Sequence, residues 1–190
     1  MFSKEKKALK ALQAETASAL ISAINARDLS AVQSFLSGEQ RLQVDLNDRN
    51  VYLHAAVRHG TPEILAALLQ AGADPRIGLN KQTNLRSDAG RTPLFVAIEL
   101  NKIDMARVLF SDPRTDSPDY QSLSESHMGL SARGLARHYN LAAEWDELFD
   151  LVEARRFMAK FKKAQAILEK AGELPKSEAP KPKKQGGLNL

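Results

Sequence analysis

Cysteine is absent from all 190 residues. That excludes disulfide bonds, thiol nucleophiles and cysteine-ligated zinc, and it favours a cytoplasmic setting. No apolar run approaches the roughly 20 residues that a membrane helix needs. The opening stretch, MFSKEKKALKALQAETASAL, lacks an uninterrupted apolar core followed by a small-residue cleavage site, so no secretory leader is expected. Neither GxGxxG nor GxxxxGK[ST] occurs, which removes the Gly-rich phosphate loops. Serines are plentiful, but none stands in a GxSxG elbow. The four histidines are His54, His59, His127 and His138. His54 and His59 lie five apart, not the three or four that align ligands on one helical face. No metal, no other cofactor and no catalytic activity is expected. Hydrophobic residues at 43% and charged residues at 26% are ordinary for a folded chain.

The net charge of +4 invites a nucleic-acid or anionic-surface reading, but the charge is unevenly placed. Residues 1–10 carry four Lys and one Glu, and residues 160–190 carry eight Lys and three Glu. Between them, residues 11–159 hold fifteen Lys/Arg against nineteen Asp/Glu. The body is acidic and the lysines mark the ends, so the basic stripe expected of a nucleic-acid domain is missing. The terminal KPKK supplies weak, salt-sensitive attraction without an interleaved aromatic and reads as a solubilising tail. Neither nucleic acid nor membrane is the expected partner.

Self-comparison reveals a repeat. Segments beginning at Leu20, Leu53 and Leu94 each place an Ala three residues on, at Ala23, Ala56 and Ala97. A second apolar group begins eight residues beyond each Ala. These groups are Ala31-Val32 with Phe35-Leu36, Ile64-Leu65 with Leu68-Leu69, and Met105-Ala106 with Leu109-Phe110. Their i, i+1, i+4, i+5 spacing is one face of a helix. Four residues after each Ala stand Arg27, Gly60 and Asn101, where a tight interhelical turn favours left-handed backbone. Gly and Asn suit that conformation and Arg does not. Thr61-Pro62-Glu63 forms a cap, first-turn proline and first-turn acid. Gly72 followed by Pro75 marks a helix end. A fainter fourth copy begins at Gly129, with Ala136, Asn140, Trp145, Leu148 and Phe149 in register, and with Arg133 and Glu144 in place of apolar residues.

Gly90-Arg91-Thr92-Pro93-Leu94, Leu53-His54-Ala55-Ala56 with Gly60, and Leu68 to Pro75 together resemble the ankyrin repeat, across roughly residues 17–150. The resemblance implies an all-α fold, a short α-solenoid of about four helix-turn-helix repeats with N- and C-terminal helical caps. Ala-to-Ala spacings of 33, 41 and 39 against a unit of about 33 place longer loops at 76–90 and 111–128. Val51-Tyr52 stands where Thr-Pro is usual and Phe95 where His is usual, so the turn bonding of both repeats is expected to be incomplete. His54 matches the repeat's structural histidine.

The expected organisation is a capping helix over residues 1–19, the array over 20–150, an extended helix over 151–173 and a disordered basic tail over 174–190. Residues 141–171 carry Phe157, Phe161, Ala164 and Leu168 at i, i+4, i+7 and i+11. Two uses of that stripe stay open: a cap folded over the last repeat, or a free face that docks a partner or a second copy, so oligomerisation through this helix is one option. The acids Glu144, Asp146, Glu147, Asp150 and Glu153 read as a solvated helix face.

The resemblance implies binding of another protein by a concave face, through hairpin tips and outward positions of the first helices. The tips offer Asn47, Asp48, Arg49, Asp88 and Arg91; the helices offer Arg58, His59, Glu99, Leu100, His138 and Tyr139. Arg, Tyr and exposed Leu are frequent anchors, so Arg58, His59, Leu100 and Tyr139 are the expected hot spots. The implied function is a non-catalytic adaptor, inhibitor or effector, with delivery into another cell left open. The alternatives are an anionic-surface or nucleic-acid binder acting through the basic ends, and an enzyme with a pocket beside the C-terminal helix.

Overall fold

The computed structural model describes residues 2–38, 44–47, 51–77, 91–119, 129–141 and 143–171. Eight helices occur among them: α1 (Phe2–Asn25), α2 (Leu29–Ser37), α3 (Val51–His59), α4 (Pro62–Gln70), α5 (Pro93–Glu99), α6 (Ile103–Ser111), α7 (Ala132–His138) and α8 (Ala143–Ala171). No strand accompanies them among the described residues. The architecture is the all-α repeat array that the periodicity predicts. The tail from residue 172 onward, His127, most of the 76–90 loop and half of the 111–128 loop lie outside the described residues.

The chain divides at Val152 into two units. In the first, α1, α3, α5 and α7 stack in that order as one layer, and α2, α4 and α6 stack as a second. Each helix pair buries its facing stripe. Ala56 and Ala97 are fully buried between first helices, where a larger side chain would force the layer apart. Leu53, Val57, Ile64, Leu65, Leu68, Ile98 and Leu109 complete the centre of the core. On α1 burial begins at Thr16 and Leu20, while Leu9 and Leu12 remain exposed. The residues expected to cap the array and those of the first repeat therefore share one 24-residue helix.

Helix starts follow local chemistry. Asp28 accepts from the Ala31 amide at 2.9 Å, and Ser131 accepts from Gly134 at 3.1 Å. Thr61 accepts from Ile64, with Pro62 in the first turn. Thr92 makes no such side-chain bond ahead of Pro93. His54, buried at the start of α3, meets the Arg91 carbonyl across repeats at 2.8 Å. Phe95, at the equivalent position, is instead buried as an apolar group.

The interhelical turns correct one expectation. Arg27, Asn101 and Asn140 have φ of 59°, 51° and 52°, whereas Gly60 is absent from the positive-φ residues. At the three left-handed turns, amides close back on the preceding helix as a pair. Arg27 and Asp28 bond Ile24 and Ala23; Asn101 and Lys102 bond Ile98 and Ala97; Asn140 and Leu141 bond Arg137 and Ala136. This is the Schellman closure. Gly60 is required for space: a Cβ there would lie 2.9 Å from the Ala56 carbonyl oxygen and 3.0 Å from its Cα.

The fourth unit owes its odd arginine to a different packing solution. Arg133 lies over the Phe149 ring at 5.3 Å and pairs with Asp119, Asp146 and Asp150 at 2.8, 3.3 and 3.0 Å. Phe149 also meets Phe110 of α6 edge-on. A cation whose head satisfies three carboxylates and whose plane covers an aromatic replaces the missing leucine. Of the five acids read as a solvated face, Asp146 and Asp150 thus serve structure.

In the second unit, residues 153–171 are helical, and Phe157, Met158, Phe161, Ile167 and Leu168 are all exposed.

Candidate functional site

The C-terminal ends of the first helices form a continuous edge, because α5 packs between α3 and α7. Counting from the central Ala of each repeat, Arg58, Glu99 and His138 occupy one row. His59, Leu100 and Tyr139 occupy the next.

This edge is held by bonds that cross repeats. With no left-handed closure at Gly60, the last carbonyls of α3 take donors from both neighbours. Arg27 of the first repeat donates through Nε to the His59 carbonyl at 3.0 Å. Lys102 of the third donates to Val57 and Arg58 at 2.9 and 2.6 Å. Two cations at a helix C-terminus also oppose its negative dipole end. Burial and the neighbouring Arg27 charge push the Lys102 ammonium below its ordinary value; the two carbonyls favour its charged form. One repeat further on, Trp145 Nε1 donates to Asn101 Oδ1 at 2.7 Å. The turn residues of successive repeats therefore serve as rungs that fix the spacing of the edge.

The expected contact residues divide into two groups. Leu100 and Tyr139 are 42% and 46% exposed, His59 and His138 are exposed and Arg58 is half-buried. The His138 and Tyr139 rings meet edge to face, 5.4 Å apart. These five lie in the two rows just described. Arg91 and Glu99 instead bind each other at 3.0 Å, with most of both side chains covered. Asn47 accepts from the Asp74 amide at 2.8 Å and so joins two hairpins. Asp48, Arg49 and Asp88 lie outside the described residues.

Sequence reasoning passed over a short motif. Asp74-Pro75-Arg76 recurs as Asp112-Pro113-Arg114. In each, the Asp accepts from both the backbone amide and the guanidinium two residues on. Arg76 and Arg114 hold the Asp74 and Asp112 carboxyls below the ordinary carboxylate value. Arg114 also donates to the Leu69 carbonyl of the preceding repeat. The recurrence of three identical residues one repeat apart was the available signal.

A cleft of about 300 Å³ lies between α4 and α6, lined by Ala66, Leu69, Gln70, Val108, Ser111, Asp112 and Pro113. Its single ionisable group, Asp112, is bound by Arg114, so it offers no acid–base pair. Among the described residues no group of three His, Asp or Glu is placed to hold a metal ion. None of the described helices is long and apolar enough to cross a membrane.

The family model described as ankyrin repeats, in three copies, matches residues 20–120. No curated protein and no solved structure matches the chain.

Proposed function

Because this chain belongs to the ankyrin repeat family, whose repeats generally serve as protein–protein interaction modules, we propose that it is a non-catalytic binder of another protein. Its partner lies against the edge at the C-terminal ends of α3, α5 and α7. The observation that carries this reading is the exposure of Leu100 and Tyr139 at equivalent positions of successive repeats, with His59, Arg58 and His138 around them. Large apolar groups held in water on a rigid scaffold lose little conformational freedom on binding and gain the full benefit of burial.

Five residues form the centre of the proposed surface: Arg58, His59, Leu100, His138 and Tyr139. Asn47 and Arg91 of the hairpins and Glu99 on α5 belong to the same proposed surface, and Asp48, Arg49 and Asp88 are proposed as further contacts from sequence alone. In this reading Asn47, Arg91 and Glu99 act by holding neighbouring elements in place. Covering a partner's surface is how the chain would work as an adaptor, an inhibitor or an effector.

The test is affinity for the copurifying partner after Leu100→Glu and Tyr139→Glu, with circular dichroism confirming an unchanged fold. Each change is expected to weaken binding by tenfold or more, on the order of 1.4 kcal/mol or above. Full affinity in both variants would remove the edge from the interface.

A further inference from the structure

The end of α8 carries a second surface, independent of the edge described above. Phe157 is 67% exposed, Phe161 54% and Ile167 57%. The Phe157 and Phe161 rings lie 6.5 Å apart with planes 21° apart, a stacked aromatic patch in solvent. At 100° per residue Phe157, Phe161, Ala164 and Leu168 share one face, with Met158 at its margin. The step from Val152 to Phe157 is five residues, so this stripe does not keep the 3–4 register of Trp145, Leu148, Phe149 and Val152.

The face opposite the stripe is basic. Residues 153–171 hold six Lys/Arg and only two acids, Glu153 and Glu169. At 100° per residue Lys160 and Arg156 flank the stripe on one side, and Arg155, Lys162, Lys163 and Lys170 lie on the face behind it. A second copy would set these cations against their own kind, which disfavours self-pairing. A flat anionic surface suits a Lys/Arg-rich face behind an apolar stripe, because the long stems reach the charged layer while the stripe enters apolar material. The sequence continues through Lys176, Lys181, Lys183 and Lys184, adding a polybasic stretch to an apolar one. That pairing of signals is what reversible attachment to anionic lipid requires. The expectation against a membrane rested on the acidic body and the weak charge of the tail; the exposed stripe adds an apolar contact to that charge.

We propose that residues 153–171 form an interfacial helix that lays Phe157, Phe161 and Leu168 into the headgroup layer of an anionic bilayer.

The test is cosedimentation of the full chain with phosphatidylcholine vesicles, with and without about one third phosphatidylserine. The expected partitioning is more than about tenfold stronger with the anionic lipid, and added salt weakens it. Phe157→Glu with Phe161→Glu, and separately the charge reversals K160E, K162E and K163E, are each expected to reduce it about tenfold or more. Light scattering and circular dichroism check size and helicity. Failure to bind the anionic vesicles, or binding that survives the paired Phe change, overturns the proposal. A dimer that dissociates in that variant, without vesicle binding, assigns the stripe to a second copy and overturns it as well. Binding to soluble polyglutamate as tight as to vesicles, and indifferent to both phenylalanines, assigns the segment to an acidic protein and also overturns it.

Discussion

The ammonium of Lys102 closes a helix that belongs to the preceding repeat, donating to the Arg58 carbonyl at 2.6 Å. Repeat arrays derive much of their stability from such nearest-neighbour terms. Here one term is a polar bond to the helix end that carries two of the proposed contact residues.

Replacing Lys102 by Met keeps most of the stem's packing and removes two charge-assisted bonds. The expected cost is about 1–3 kcal/mol, lessened by relief of repulsion from Arg27. It reads out as a lower midpoint in urea. An unchanged midpoint would show that these carbonyls find solvent at no cost.

Asn101 performs two tasks that substitution separates. It sits at φ 51° and accepts the Trp145 indole N–H. Asn101→Gly removes the acceptor alone, at about 1 kcal/mol. Asn101→Ala adds left-handed strain of about 1 kcal/mol more. The ordering Asn above Gly above Ala in thermal unfolding is the checkable outcome.

Gly60→Ala tests a steric claim. The added methyl meets the Ala56 backbone, which cannot yield without moving α3, so the variant is expected to lose about 1–3 kcal/mol. A neutral effect would place the need for glycine elsewhere.

Acid should loosen the array through the repeated Asp-Pro-Arg clasps. Both carboxyls lie below their ordinary value of 3.8 in the folded chain. A lowered folded value contributes stability that is present above the unfolded value and lost as pH falls through the folded one. Stability is therefore expected to decline below pH 3.8. Asp112 is the more covered of the two acids, so Arg114→Gln should blunt the decline more than Arg76→Gln. Urea midpoints measured on either side of that value check the ordering.

The helical layers were legible because they rest on periodic burial: the Ala rows and their paired apolar groups specify which faces must leave water. Pro62 and Pro93 likewise mark helix starts through constraints local to the chain. Arg27 was harder to read. Its backbone strain is accepted where its side chain caps His59, a bond to a residue 32 positions away. The role of Lys102 gives no sequence signal for the same reason, since nothing nearby in the chain announces its distant carbonyls. Gly60 was recognised as a turn glycine for a conformation it does not adopt; the crowding against Ala56 belongs to three dimensions. At the proposed binding edge, periodicity placed Leu100 and Tyr139, but it could not show that Arg91 and Glu99 pair with each other.

Site-specific photocrosslinking to the copurifying partner addresses the central claim most directly. A photoreactive side chain is placed in turn at Leu100, at Tyr139 and at Arg107, an exposed control on α6. The account predicts covalent partner adducts from positions 100 and 139 and none from 107. Adducts from 107 alone would contradict it and move the interface to the second-helix layer.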